Sequence, residues 1–313
     1  MELFGSNFDD SVFLEAKDRS SVSVSSYNAK TCEPEWFGES AALDTEDSLE
    51  KQKIFKFRGD LATWKGKYQA ALDAYSSCLE WVSDNNLSIR RDILEGMARC
   101  CTKLGQRDRA MALVDLLSKE ASNTCHLTSL LLLKVTVYQH FGLVGPLMSS
   151  LQELCSLLPF NPWNWHNLGK MCMHRLEHGT TLKAESIEPD AQHEDFSKER
   201  LWLKACMCFI RMKLLLTILQ QQQSSFVLRR NHIAIQTAEE ALAHLHPNQT
   251  TLLNLTEVMS EDLNPEKMRE DYQDGMSLSS ICLQTFQERW WDKILLSGVL
   301  EADRCGRLSD SKS

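Results

Sequence analysis

Proline and glycine are scarce in this 313-residue chain, at seven and thirteen. A turn-dense all-β fold needs more of both, so the shortage favours long helices. Long apolar runs are missing too. The leucine run Leu130–Leu133 is cut by Lys134 and is far too short to span a bilayer. There is no excess of base: the net charge is −9, and residues 1–50 hold twelve acids against three bases, which leaves 31 of each in the rest. A formally neutral body lacks the basic footprint of non-specific nucleic-acid binding. We therefore expect neither a nucleic-acid nor a membrane partner. Met1–Asp10 is acidic and has no apolar run of a secretory leader. The eleven cysteines fall mostly among Ala, Leu and Met, as small hydrophobes in a reducing compartment. These features predict an intracellular protein of the cytoplasm or nucleus.

Catalytic signatures are equally sparse. Gly59 to Lys67 has six residues between its glycines, and Tyr68 follows the lysine, so both spacing and hydroxyl are wrong for a phosphate-cradling loop. No G-x-G-x-x-G, H-E-x-x-H or G-x-S-x-G occurs. Cys172, His174 and His178 lie close together, as do Cys206 with Cys208 and His244 with His246. None has the two-plus-two spacing of a structural zinc site. The expectation is no metal, no cofactor and no catalytic residue.

What the chain does have is a recurring helical hairpin. In Phe57–Leu79 the first helix carries Gly59 at its closest contact. A turn follows at Lys65-Gly66-Lys67, and the second helix sets Ala71, Tyr75 and Cys78 on one face. The frame recurs at Leu104-Gly105 with Ala110, Val114 and Leu117, and Ala98 takes the place of Gly59. It recurs again at Phe141-Gly142 with Leu147, Leu151 and Leu154, behind Tyr138 and before Pro159. A fourth unit opens at Pro162 with Trp165, Leu168 and Gly169. Its second helix, marked by Ala205, Phe209 and Met212, comes about 24 residues late, after a polar insertion at 177–199.

This frame resembles the tetratricopeptide repeat, a 34-residue helix-turn-helix unit with small and aromatic residues at fixed positions. The units fall at 52–85, 91–124, 128–161 and 162 to about 219. Five and three extra residues separate the first three. Departures include Phe55 for the usual tryptophan, Arg107 at a turn aromatic, and Val135 and Leu147 at small positions. The resemblance implies an all-α fold: an α-solenoid of about four hairpins, each burying its neighbour's apolar face.

The expected organisation starts with an acidic, largely disordered segment over 1–50, with Trp36 and Phe37 as docking aromatics. Packing of this pair within the chain ranks ahead of docking to a partner. Repeats follow over 51–219. Helices over 220–300, including 252–259 and 276–300, cap the solenoid, with Trp290 and Trp291 as anchors. A polar tail fills 301–313. The chain also resembles, along its whole length, an uncharacterised vertebrate family. The likeness runs through Cys32-Glu33-Pro34 with Trp36-Phe37, through Gly59-Asp60-Leu61-Ala62, through Pro159 to Trp165, and through Leu203-Lys204-Ala205-Cys206 leading to Phe209-Ile210-Arg211. It implies that the polar insertion is a tolerated variable loop.

The resemblance places the working surface on the concave face of the first helices. Its residues are Lys56, Asp60 and Thr63, then Glu95, Arg99 and Thr102, then Leu132, Thr136 and Gln139, then His166, Lys170 and Met173. Some relatives clamp a peptide's terminal carboxylate there with Lys and Asn. Here Lys56 fits, but Asp60 replaces the asparagine and Glu95 and Gly96 occupy other clamp positions, which disfavours that ligand. The expected role is a non-enzymatic scaffold that binds a protein partner of mixed or apolar character. Two alternatives stay open: an enzyme or enzyme subunit with a Cys/His site between solenoid and C-terminal helices, and a structural subunit stable only in a complex.

Overall fold

A computed structural model describes residues 35–83, 85–178, 191–220, 225–264 and 281–296. Among the described residues all regular structure is helical. The expected disorder over 1–34, the middle of the polar insertion, Gln221–Gln223 and the tail over 301–313 lie outside them.

The fold is a solenoid-like array of consecutive helical hairpins. The first pairs α1 (Ser48–Trp64) with α2 (Tyr68–Trp81), the second α3 (Leu87–Lys103) with α4 (Arg107–Glu120), and the third α5 (Thr124–His140) with α6 (Val144–Leu157). The fourth pairs α7 (Pro162–His178) with the long α8 (Ala191–Gln220). Each helix packs on the next, and α1, α3 and α5 also touch one another along one side of the array.

Local chemistry sets the repeat. Every first helix is 17 residues long, and α2, α4 and α6 are each 14. An Asx side chain starts each first helix by accepting a backbone N–H: Asp47, Asn86, Asn123 and Asn161. In the first three hairpins that helix ends at a left-handed glycine: Gly66, Gly105 and Gly142, with φ of 72°, 72° and 66°. The glycine N–H donates to the carbonyl of Thr63, Thr102 or Gln139. The next residue donates to Ala62, Cys101 or Tyr138. This is the Schellman closure, which satisfies orphan carbonyls and reverses the chain in few residues.

The helix starts are 39, 37 and 38 residues apart, longer than the 34 of the resembled unit. Most of the residues that separate the first units in the sequence are helical: 87–90 form the first turn of α3, and 125–127, with Thr124 from the end of the second unit, form that of α5. The same extra turn opens α1 at Ser48, inside the segment expected to be disordered. The fourth unit lacks it. Pro159 and Pro162 forbid a helix across 158–161, so α7 begins with proline in its first turn, where a missing N–H costs nothing. The insertion is also shorter than the polarity of 177–199 suggests. Glu177 and His178 complete α7, and α8 already runs from Ala191. Ala191, Gln192, Glu194 and Lys198 are good helix formers, and tertiary packing further along α8 holds the helix they start.

Small residues fix the closest approaches. A Cβ on Gly59 would lie 2.5 Å from the Tyr75 ring, and one on Gly96 would lie 3.0 Å from the opposite edge. Tyr75 is thus held between the first helices of two successive hairpins. In the fourth unit a Cβ on Gly169 would meet the Phe209 ring at 3.0 Å. Phe209 of α8 thus sits over Gly169 as Tyr75 sits over Gly59, although it is reached only after the insertion.

Beyond α8 the chain adds α9 (Ser225–Leu245) and α10 (Gln249–Ser260), both packed on α8. Ala234, Ala238 and Leu242 are buried along α9, and His246 leaves it in a left-handed conformation just before Pro247. The last described helix, α11, covers Leu283–Phe286, takes a π-helical turn over Gln287–Trp291 and ends over Asp292–Leu296. Its extended N-cap is Cys282, so it starts later than the expected 276. α11 folds back rather than stacking at the end of the array. Trp290 lies 5.1 Å from Trp165 of α7, and Phe286 lies 5.9 Å from the same ring.

Arg211 of α8 is fully buried and ties these parts together. Its guanidinium pairs bidentately with Asp262, just after α10, and donates to the carbonyls of Met259 at 2.6 Å and Pro159 at 3.4 Å. Arg289 of α11 reaches the same carboxylate at 3.1 Å. The Trp165 indole donates to the Pro159 carbonyl at 2.8 Å. Burial favours the neutral form of Asp262, but the hydrogen bonds and charges of Arg211 and Arg289 outweigh it and hold the carboxyl below its ordinary value.

Gly59→Ala is expected to destabilise the protein by about 1–2 kcal/mol in urea unfolding. Overpacking against a ring pinned on both sides costs ~1–3 kcal/mol, which exceeds the ~1 kcal/mol helix gain over glycine. Gly96→Ala, with its looser contact, is expected to be closer to neutral. Asp262→Asn is expected to cost about 3–5 kcal/mol, because it leaves a buried guanidinium unneutralised. The wild type is expected to lose the Asp262 contribution as pH falls from the ordinary carboxylate range through the depressed folded value, since a lowered folded pKa stabilises only above it. The asparagine variant is expected to lack that component of the acid-unfolding curve.

Candidate functional site

Positions 56, 60 and 63 are four and three residues apart, so on α1 they share one face, and the helix turns them within about 60° of each other. Lys56 bridges α1 to α3. Its ammonium lies 2.8 Å from Asp60 and 2.8 Å from Asp92. Burial alone would lower the Lys56 pKa, but the two carboxylates reverse this and hold it above the ordinary value. Asp60 also accepts the Tyr75 hydroxyl at 2.8 Å, which in turn lies 3.3 Å from the Thr63 hydroxyl. On α3, Arg99 donates to Glu95 at 2.7 and 3.0 Å.

Three successive first helices then converge. Thr63 of α1, Arg99 and Thr102 of α3, and Thr136 and Gln139 of α5 line one cavity of about 440 Å³. Tyr68, Lys103, Leu133, Val137 and His140 complete its wall. The floor is apolar and the rim carries Arg99, Lys103 and His140. Glu95 belongs to a smaller neighbouring cavity of about 170 Å³, with Asp92 and His126. Thr102 is buried and donates its hydroxyl back to the Ala98 carbonyl at 2.7 Å, so it contributes only its methyl to the wall.

The fourth unit does not join this surface. His166 is half-buried against α8, with Nδ1 3.2 Å from the Met212 sulfur and its ring edge-on to Phe209. Lys170 is exposed one turn further along the same helix. The long α8 packs against this stretch of α7, which removes His166 from any shared concave face. Burial, with help from the Lys170 charge, lowers the His166 pKa.

Trp36 and Phe37 do not occupy the groove. They form a short 3₁₀ turn over Trp36–Gly38, and a second covers Ser40–Leu43. Phe37 packs tilted against Phe57 with ring centroids 5.6 Å apart, Arg58 donates to the carbonyls of Phe37 and Glu39, and Lys65 pairs with Glu35 at 2.8 Å. Residues 57, 58 and 65 lie roughly 100° to 200° around α1 from Lys56, which is the outer side. Residues 35–43 therefore cover the outer flank of the first hairpin and do not line the inner groove. Trp64, next to Thr63 and 83% exposed, was not among the expected site residues. A tryptophan directly before a glycine-closed turn is the signal that marks it, since the core face has ended there.

The Cys/His cluster does not assemble. Cys172 is fully buried, whereas His174 and His178 are exposed and stack on each other at 4.3 Å. Burial pushes the Cys78 thiol up to about 11 and those of Cys155 and Cys208 well above their usual range. Among the described residues no group of three or more His, Cys, Asp or Glu is placed to hold a metal ion. No helix among them is long and apolar enough to cross a membrane.

A family described as "Family of unknown function (DUF5588)" matches residues 2–201 and 190–294. The chain belongs to this family. It is 32% identical to the human "Uncharacterized protein C8orf76" over 93% of each chain. It is 28% identical to the rat "Uncharacterized protein C8orf76 homolog", again over 93% of each. The family likeness therefore runs through the hairpins, the Arg211 junction and α11 alike.

His166 is expected to titrate below an ordinary histidine in an NMR pH series. Lys170→Gln is expected to raise its pKa only in part, because burial is the larger cause.

Proposed function

We propose that the protein is a non-enzymatic interaction scaffold that takes a segment of a protein partner into the groove of α1, α3 and α5. The observation that carries this reading is the convergence of Thr63, Arg99, Thr136 and Gln139, from three successive hairpins, on one half-open cavity. An apolar floor with a cationic rim suits a partner segment that offers one large apolar side chain flanked by an acid. We read the hairpins as a tetratricopeptide-like unit lengthened by one helical turn. The buried, cysteine-rich core supports an intracellular setting. A Cys/His enzyme has less support, because its thiols are buried and its histidines face solvent.

The test is selection of peptides from a random displayed library on the full-length protein. Enriched peptides are expected to share an apolar anchor near an acid. Arg99→Glu is expected to weaken their binding by about tenfold or more. Arg109→Glu, on a second helix, is expected to have no effect. Absence of any enriched peptide, or binding indifferent to Arg99→Glu, would count against the groove.

A further inference from the structure

The groove of α1, α3 and α5 lies at the turn end of the hairpins. Thr63, Lys103 and His140 stand among the last residues of their helices, and Tyr68 opens α2. The described residues begin at the same end. Glu35 is held there by Lys65, whose ammonium lies 2.8 and 3.0 Å from its two carboxylate oxygens. Lys65 itself stands between two lining residues, Thr63 and Tyr68. From Glu35 the chain runs along the outer flank to Asp47, the cap of α1. Residues 1–34 therefore join the described chain at the mouth of the groove.

The groove favours an apolar side chain within and an acid at its edge. Leu133 and Val137 are buried in its floor. The hydroxyls of Thr102 and Thr136 donate to the Ala98 and Leu132 carbonyls of their own helices. On the rim, Arg99 pairs with Glu95 of its own helix, and Lys103 takes part in no ion pair among the described residues. Among those residues no carboxylate lines the cavity. Residues 1–15 are the complement. They hold Phe4, Phe8 and Phe13, the acids Glu2, Asp9, Asp10 and Glu15, and no base. Phe8 stands directly before Asp9 and Asp10. Trp36 and Phe37 are also flanked by acids, but Phe37 packs against Phe57 on the outer flank and Glu35 pairs with Lys65.

We infer that residues 4–15 of the same chain occupy the groove, with Phe8 in the cavity and Asp9 and Asp10 against Lys103 and Arg99. The inference rests on the groove reading above and gives the groove a resident ligand. Reach does not limit it. Nineteen residues, 16–34, join Glu15 to Glu35. Extended, they span up to ~60 Å, against two helix spacings of ~10 Å from α1 to α5. A tethered segment acts at an effective concentration on the order of millimolar, so it fills a site that binds it only weakly as a free peptide. A partner's segment must then displace the internal one, and its apparent affinity falls with the fraction of chains whose groove is open.

Photo-crosslinking of the full chain tests this. Benzoylphenylalanine placed at position 8 is expected to crosslink within its own chain to Tyr68, Leu133 or Val137, as mapped by mass spectrometry. Lys103→Glu is expected to lower that yield about fivefold. Arg109→Glu, on a second helix, is expected to leave it unchanged. Crosslinks that fall elsewhere would overturn the assignment. So would crosslinks that join two chains on a denaturing gel, because the occupant would then be a second copy. A labelled peptide of residues 1–15 gives an independent measure. It is expected to bind the full chain carrying Phe8→Ala, Asp9→Asn and Asp10→Asn about tenfold or more tightly than the wild type, whose groove is filled. Equal affinity would sink the internal occupant. Display-selected peptides separate that failure from failure of the groove. Binding that is lost in Arg99→Glu but equal in the wild type and in Phe8→Ala keeps the groove and removes its internal ligand.

Discussion

Arg211 carries a guanidinium with no exposed surface, deep in the longest helix of the array. An isolated charge there would cost several kcal/mol, so the surrounding chain must supply acceptors. The Pro159 carbonyl comes from the lead into α7, the Met259 carbonyl from the last turn of α10, and the carboxylate of Asp262 from just beyond it. Arg289 then brings α11 to the same carboxylate. Segments about fifty residues away on either side of Arg211 are thus held at one point. The indole of Trp165 shares the Pro159 carbonyl and presents its ring to Phe286 and Trp290. The packing of α11 onto α7 follows from the neutralisation of one charge as much as from apolar area.

The N-terminal half rests on backbone geometry. Asx caps and left-handed glycines recur in step, so three hairpins share helix lengths and turns. Much of this was legible: Gly59 against Tyr75, the glycine turns, and Phe209 as a delayed partner of Gly169 all follow from spacing in the sequence. The extra first turn was hidden because frame matching begins at the packed positions. Residues 87–90 and 124–127 make no close contact of that pattern and look like linker. Their Asx caps were the available signal. The π-helical turn that lets both Trp290 and Trp291 be buried left no such mark, because it is imposed by the surface that α11 meets.

The groove was legible only as far as the repeat stays regular. Thr63, Arg99, Thr136 and Gln139 fall on one cavity because α1, α3 and α5 share caps, length and closure. His166 and Lys170 depart because α7 loses a turn to Pro159 and Pro162 and then meets the much longer α8. The position of Trp36 and Phe37 was not legible, since nothing in the periodicity says which flank of α1 an aromatic pair will cover. Arg58 decides it by capturing the carbonyls of Phe37 and Glu39 on the outer side.

The same irregularity that ends the groove creates a second cavity, between α6, α7, α8 and α11. A regular fourth hairpin would bring a short second helix back at once and close against α6. Here the chain returns as α8 from Ala191, so Arg200 and Lys204 arrive beside Arg175 on one cavity wall. α11 adds Leu283, Gln287 and Trp291 to the same wall, and the Lys204 ammonium lies 4.0 Å over the Trp291 ring. The charges of Arg200 and Arg175 act against the Lys204 ammonium there, and those of Cys172 and Asp292 act for it.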